Sequence, residues 1–304
     1  MFGFAIGCYL FLGGVAGGLG AVASWVALCV PASDVCVRIG EDLRRLVGIP
    51  LLVATLLTVA SALCLLADTA RPEAVGALFA SPRANILTVG AWLLLAYGVA
   101  GAGLALRWLW GRRVRRNRVL CVAQGAHLAL GVAVTTYSAL YLAGIRAVPL
   151  WHSWWLVPLF VTSSLAAACT LFGAVVYGSR IDGLFPTAVR RARMLSLVFL
   201  AAEAASACGF ALTALGVPDA GSAAAAATSA VDLLFGPDAF IWWGGFALVG
   251  IAGSAFFDLA GRRWLPDRRM AYNFAMTVCA CALVGTFSLR MSIMMAGAHP
   301  VLGF

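Results

Sequence analysis

The chain has 304 residues, of which 63% are hydrophobic and only 11% are charged. A soluble domain carries about 25% charged residues, so this composition excludes an ordinary water-soluble globule. The formal net charge of +9 is also found in nucleic-acid-binding proteins, but the positions of the basic residues argue against that class.

Eight apolar runs follow one another along the chain, each at least as long as the roughly 20 residues that a helix needs to cross a bilayer. Hydrocarbon offers no water to pair with backbone groups, so these runs are expected to be helices. The first run starts without a basic segment and is long, which indicates a retained helix rather than a signal peptide. The predicted spans are residues 3–30, 46–67, 85–110, 118–144, 152–178, 193–216, 239–260 and 271–297.

All 21 basic residues are arginines, and they divide unevenly between the two sides of the predicted bundle. The connections after spans one, three, five and seven hold 16 of them, whereas the opposite connections hold only Arg71, Arg83 and Arg146. The positive-inside rule then predicts that the arginine-rich side is cytoplasmic and that both termini lie outside. Lipid headgroups beside short loops account for these charges, so the bilayer is the expected partner and nucleic acid is not.

The longest outer connection, residues 217–238, is acidic and rich in alanine. We expect it to be a flexible loop or a docking surface.

A shift of 150 residues superposes several features of the chain. The Gly-Arg-Arg triplet at Gly111 falls on the triplet at Gly261, and Tyr137 falls on Phe287. Four spans in each half would give both halves the same orientation, which predicts two four-helix bundles related by an axis along the membrane normal. The predicted bundles are residues 1–150 and 151–304.

The cysteines and histidines give little support for a metal centre. Nine cysteines lie mostly inside apolar runs without a CxxC pair, as expected of small buried thiols. A membrane b-type haem needs two histidines at one depth. His127 lies on the inner side, so only His152 and His299 remain as a haem pair, an alternative that stays open. No metal bound by this chain is predicted.

Several ionisable residues lie within or at the ends of predicted spans. Glu203 is in the middle of span six, Arg290 in the outer part of span eight and Asp258 near the inner end of span seven. Such groups are costly in a bilayer and often functional. They are candidates for a proton path, with hydrogen-bonded helix contacts as the alternative.

Aromatic and polar residues gather at the outer end of spans four and five. Tyr137 and Tyr141 are four residues apart and share a helix face. Trp151 and His152 follow closely, and Tyr9 in the outer third of span one could face the same space. A belt of interfacial aromatics explains part of this cluster. Tyr137 lies two turns below the helix end, where a phenol could bind the carbonyl oxygen of a lipid-soluble ligand.

The segment YSALYLAGIRAVPLWHS, residues 137–153, resembles the fourth-helix signature of the NrfD/PsrC family, the membrane-anchor subunits of polysulfide reductases. The opening segment from Tyr9 to Gly18 and the ending from Leu289 to Gly297 resemble the first and last helices of that family. The resemblance covers nearly the whole chain.

This resemblance implies two four-helix bundles, a menaquinone site near the outer face and no haem. It also implies docking on the outer face to an iron–sulfur subunit, which serves a molybdopterin catalytic subunit. Tyr137 matches the quinone-contacting tyrosine of the family, but the first helix lacks the family's polar Asn and His. We therefore expect Tyr9, Tyr137, Tyr141, Trp151 and His152 to bind the quinone, with Tyr137 and His152 as the catalytic pair.

A secondary transporter or a purely structural anchor remains the alternative, because transporters also contain internal repeats. In either case the sequence predicts a multi-pass protein of a bacterial or archaeal cell membrane.

Overall fold

The computed structural model describes residues 4–29, 37–68, 86–111, 117–145, 148–216, 222–237, 239–263 and 268–297. Within these ranges all regular structure is helical, and eight helices are long and apolar enough to cross a membrane, as predicted. The spanning helices are α1 (Phe4–Cys29), α2 (Val37–Asp68), α3 (Ile86–Trp110), α4 (Arg118–Ala143), α5 (Leu156–Gly178), α6 (Pro186–Leu215), α8 and α9 (Arg268–Gly297). Helix α8 is π-helical over Ile241–Gly253 and α-helical over Ser254–Arg263.

Two helices start earlier than the hydropathy of the sequence predicted. Helix α2 begins at Val37 and contains Pro50, and helix α6 begins at Pro186. Proline is favourable in the first turn of a helix, because the missing N–H has no partner there in any case. The early turns of both helices are rich in arginine, so apolar length detects only the part of each helix that crosses the hydrocarbon.

The connection between α6 and α8 contains a further helix, α7, over Ser222–Phe235. Alanine has the highest helix propensity, and Ala230, Leu233 and Leu234 are buried on one face of α7. Their spacing is that of an amphipathic helix packed on a protein surface. The expectation of a flexible loop is therefore wrong for residues 222–235.

The helices pack in a pattern that places α1 and α5 at the centre of the molecule. Helix α1 packs against α2 and α4, and α3 contacts both α2 and α4. In the second half, α5 packs against α6 and α9, and α9 packs against α8. Contacts of α1 with α5 and α9 join the halves. Division at residue 150, the repeat symmetry and the orientation in the membrane stay predictions.

Glycines bring α1 and α4 into backbone contact. A Cβ atom on Gly17 would lie 2.7 Å from the carbonyl oxygen of Gly131. Small residues allow such close packing of membrane helices. Because α3 also packs against α4, this close approach places polar side chains of α1, α3 and α4 near one another.

Candidate functional site

Tyr9 and Tyr137 line one small cavity between α1, α3 and α4, which we call the tyrosine cavity. Glycine backbone forms part of its wall, and leucines and a valine complete it. The lining includes Tyr9, Gly13 and Gly14 of α1, Gly90 of α3, and Tyr137 and Ser138 of α4. The predicted meeting of Tyr9 with Tyr137 is thus present in the structure.

The tyrosine cavity is small. Its cavity volume is about 10 Å³, which is about enough for one water molecule. Both phenol side chains are buried, and the ring of Tyr137 lies directly against Gly90, where any Cβ atom would overlap the phenol. A ligand as large as a quinone ring therefore requires the Tyr137 ring to move.

Of the other predicted quinone ligands, Tyr141 lies beside Tyr137, whereas Trp151 and His152 lie away from the cavity wall. The Tyr141 ring is tilted against Tyr137, with 6.2 Å between ring centroids. Trp151 is buried in a short 3₁₀ turn, Pro149–His152, where its Nε1 donates to the carbonyl oxygen of Ile293 over 3.0 Å. His152 is exposed, and its Nδ1 lies 3.3 Å from the carbonyl oxygen of Val148. Neither Trp151 nor His152 lines the tyrosine cavity.

Arg290 is fully buried, and all three of its nitrogens donate hydrogen bonds. Its Nε donates to the Leu10 carbonyl oxygen over 3.1 Å, and its Nη1 donates to that of Thr286 over 3.0 Å. Its Nη2 donates to Ser164 Oγ over 2.6 Å. The guanidinium also lies over the ring of Phe160, 5.0 Å from its centroid. These contacts connect α9 to α1 and α5.

Glu203 of α6 extends this set of contacts, which we call the arginine network. Its carboxyl is hydrogen-bonded to Ser163 and attracted by the charge of Arg290. The Ser163 hydroxyl lies 3.2 Å from Thr286 Oγ1. A buried charge is tolerated when it is paired and hydrogen-bonded. The network therefore joins α5, α6 and α9 around one buried arginine.

Asp258 lies apart from this network, at the arginine-rich end of α8. Arg193 Nε donates to Asp258 Oδ1 over 2.5 Å, and its Nη2 donates to the Asp258 carbonyl oxygen over 3.0 Å. A cavity of about 40 Å³, lined in part by Ser196, lies beside this ion pair. The three predicted proton-path residues thus form two groups, Glu203 with Arg290 and Asp258 with Arg193.

A further polar cluster surrounds His127, which the sequence analysis considered only as a haem ligand. His127 Nδ1 lies 2.9 Å from Ser24 Oγ, and the imidazole is stacked on the Tyr97 ring with 4.7 Å between centroids. The Tyr97 hydroxyl donates to the Ala16 carbonyl oxygen over 2.5 Å. The sequence could have indicated this cluster, because spans one, three and four each contain a polar residue at the same predicted depth. His299 lies outside the described residues.

These features define a multi-pass membrane protein with a small aromatic cavity between α1, α3 and α4 and a buried ionic network centred on α9. The family model described as "Polysulphide reductase, NrfD" matches residues 1–301, so the chain belongs to the NrfD family, as the three helix segments predicted. Proteins of this family are membrane-anchor subunits that pair with iron–sulfur and molybdoenzyme partners. Among curated proteins, none matches the chain significantly.

Proposed function

We propose that the chain is the quinone-reactive membrane anchor of a molybdopterin oxidoreductase complex in a bacterial or archaeal cell membrane. It exchanges electrons between menaquinone and an iron–sulfur subunit on the outer face, while the terminal substrate reacts in the catalytic partner. Family membership supports the role of anchor. The observation that carries the quinone site is the tyrosine cavity, where two phenols face a glycine-lined space within the membrane span.

Tyr137 orients the quinone in this proposal. Its hydroxyl donates to one carbonyl oxygen of the bound ring, and Gly90, which has no side chain facing Tyr137, leaves space for a flat aromatic group once the phenol has moved. Because Tyr137 rests on Gly90, binding selects a conformation in which the phenol has swung away. Tyr9 and Tyr141 complete the aromatic surroundings.

His152 is the proposed proton acceptor at the outer rim. A carbonyl oxygen can only accept, so the contact with Val148 requires the proton of the neutral ring on Nδ1 and leaves Nε2 as a base. Quinol oxidation releases two electrons and two protons. The electrons pass to the partner's iron–sulfur cluster, and His152 transfers protons to the outer water in turn.

The second half supplies a proposed proton path. Glu203 and Arg290 form its deeper part, and Asp258 forms its end on the arginine-rich side. The cavity lined by Ser196 lies beside Asp258, and Ser196 is two turns of α6, about 10 Å, from Glu203.

The replacement Tyr137→Phe tests the quinone site. It removes one hydrogen bond to the headgroup, and we expect quinol oxidation by the complex to fall by about tenfold. Tyr272→Phe, which removes a phenol from the arginine-rich end of α9, is the matched control and should leave turnover unchanged. Unaltered turnover and quinone affinity in Tyr137→Phe would remove Tyr137 from the site.

Co-purification tests the partner in the same preparations. Both variants should bind the iron–sulfur subunit as the wild type does. A chain that purifies alone and moves a solute across liposomes would instead favour a transporter.

A further inference from the structure

A wide cavity opens at the arginine-rich end of the second half, where α5 ends and α6 begins. Its volume is about 430 Å³, and its lining includes Tyr177 of α5, Arg190, Arg193 and Met194 of α6, and Gly261 of α8. Small-molecule sites in proteins have volumes of about 300–1,000 Å³. The cavity is therefore large enough for a polar group much larger than a water molecule, and the proposed quinone chemistry makes no use of it.

Arg193 lines this cavity with a guanidinium group that can still form a hydrogen bond. Its Nε and Nη2 donate to Asp258, and the group lies against Gly261, where a Cβ atom would be 2.9 Å from Nη2. Within the described part of the chain, Nη1 makes no hydrogen bond. The side chain is 26% exposed, so a molecule in the cavity can accept from Nη1.

Arg190 supplies a second cation on the same wall. It lies three residues before Arg193, so the two side chains share a face of α6. Arg190 is exposed and has no hydrogen bond or ion pair with a described residue. Two like charges on one wall repel each other, and an anion between them turns this repulsion into attraction. Paired guanidinium groups suit a phosphate group best, because they match its oxygens with several charged hydrogen bonds.

Two carboxylates limit the charge of this anion. Asp258 already balances Arg193, and Asp182, which has an interaction of its own within the chain, lines the same cavity. Together with Arg190 these side chains have no net charge, so a doubly charged phosphate would bring an excess of negative charge. A phosphodiester has one negative charge, and a headgroup that also contains an ammonium group is neutral as a whole. Such a headgroup matches both signs on the wall.

An apolar surface continues from the cavity toward the middle of the membrane. Met194 lines the cavity, and Val198 is four residues further along α6 on the same face. Both side chains are exposed. A soluble phosphate compound makes no contact with such a surface, whereas the acyl chain of a lipid packs against it. A charged wall beside an exposed apolar strip therefore fits a phospholipid.

We propose that this cavity binds the headgroup of a zwitterionic phospholipid, which contains a phosphodiester and an ammonium group. The phosphodiester lies between Arg190 and Arg193, the ammonium group lies near Asp182, and one acyl chain follows Met194 and Val198. Because the cavity wall comes from α5, α6 and α8, the bound lipid joins these three helices. The lipid site is independent of the quinone site.

Lipid binding to the purified complex tests the headgroup. The complex is stripped of lipid in detergent, and native mass spectrometry then measures the binding of phosphatidylethanolamine and phosphatidylglycerol, with inorganic phosphate as a competitor. We expect one phosphatidylethanolamine per chain to bind about fivefold more tightly than phosphatidylglycerol, which lacks the ammonium group. Equal affinities would overturn the zwitterionic headgroup. Displacement by inorganic phosphate would overturn the lipid and indicate a soluble anion instead.

Arg190→Gln tests the cavity wall itself. It removes a charged hydrogen bond to the phosphodiester and should weaken the binding of phosphatidylethanolamine by about tenfold. Arg191→Gln is the matched control, because Arg191 is the adjacent exposed arginine of α6 and does not line the cavity. An equal loss of binding in the two variants would show a diffuse attraction to surface charge and refute the site.

Asp182→Asn tests the ammonium contact through the selectivity of the site. We expect the preference for phosphatidylethanolamine to disappear and the affinity for phosphatidylglycerol to rise, because the wall then has a net positive charge. Equal weakening of both lipids, or an unchanged preference, would remove Asp182 from the headgroup site. Tyr137→Phe should leave lipid binding unchanged, so failure of the quinone site and failure of the lipid site are separate results.

Discussion

The two halves of the protein contain buried polar clusters of opposite kinds. In the arginine network, all three nitrogens of Arg290 donate to oxygens of α1, α5 and α9. In the first half, His127 Nε2 and the Gln124 amide have no partner among the described residues. A fully paired cluster stabilises one packing of the helices, whereas an incompletely paired one has bonds left for a ligand. The arginine network thus favours one helix packing, whereas the cluster around His127 retains unpaired donor and acceptor atoms.

The ends of the two halves that lie opposite the arginine-rich connections also differ. Tyr137 has a hydroxyl and lines a cavity. Phe287, which falls on Tyr137 under the predicted shift of 150 residues, packs edge-on against Phe4 and Phe11 with centroid separations of 6.1 and 5.4 Å. The first half thus keeps a polar group and a space where the second half has aromatic packing.

Arg290→Met should have the largest effect on the second half. It removes three buried hydrogen bonds that link α9 to α1 and α5 or brace its own turn, and it deprives Glu203 of its positive neighbour. Breaking a buried pair in this way costs about 3–5 kcal/mol of unfolding free energy. Thermal or denaturant unfolding in detergent measures the loss. Arg107→Met, at an exposed arginine of α3, is the control, and equal losses would show that the network does not stabilise the fold.

Trp151→Phe should have a smaller effect on the join between the halves. It removes the hydrogen bond from Nε1 to the Ile293 carbonyl oxygen, which costs about 1–1.5 kcal/mol. Trp154→Phe is the matched control, because Trp154 is 87% exposed. The same unfolding measurement applies, and a quinone affinity changed in Trp151→Phe without loss of stability would return Trp151 to the quinone site.

Glu203→Gln should change stability least. The amide can still bond to Ser163, and only the attraction to Arg290 is lost, at a cost of about 1 kcal/mol. If Glu203 carries protons, proton uptake per electron in proteoliposomes falls while the fold persists. Unchanged proton movement would assign Glu203 to the structural contact alone and sharpen the contrast with the first half.

The sequence predicted the eight spanning helices because each must be long and apolar. It placed the start of α6 too late, since Arg190 and Arg191 lie in helical turns that hydropathy does not detect. Helix α7 was missed because its alanine-rich sequence was interpreted as a flexible connection, although Leu233 and Leu234 carry the spacing of a buried face.

The sequence predicted contacts in the candidate site only where two residues lie at the same depth in the membrane. Tyr9 and Tyr137 were expected at one depth and line one cavity. The contact of Trp151 with Ile293 joins residues 142 positions apart, and no local pattern specifies it. The surroundings of His127 come from α1, α2 and α3, so its role depends on tertiary packing.

Gly14 has the tyrosine cavity on one side and the guanidinium of Arg290 on the other. A Cβ atom there would lie 2.7 Å from Arg290 Nη2, so only backbone separates the two. Charges interact strongly over such distances in an interior of low dielectric constant. The positive charge of Arg290, opposed in part by Glu203, therefore contributes to the electrostatic potential in the cavity, and an electron acceptor placed there would become easier to reduce.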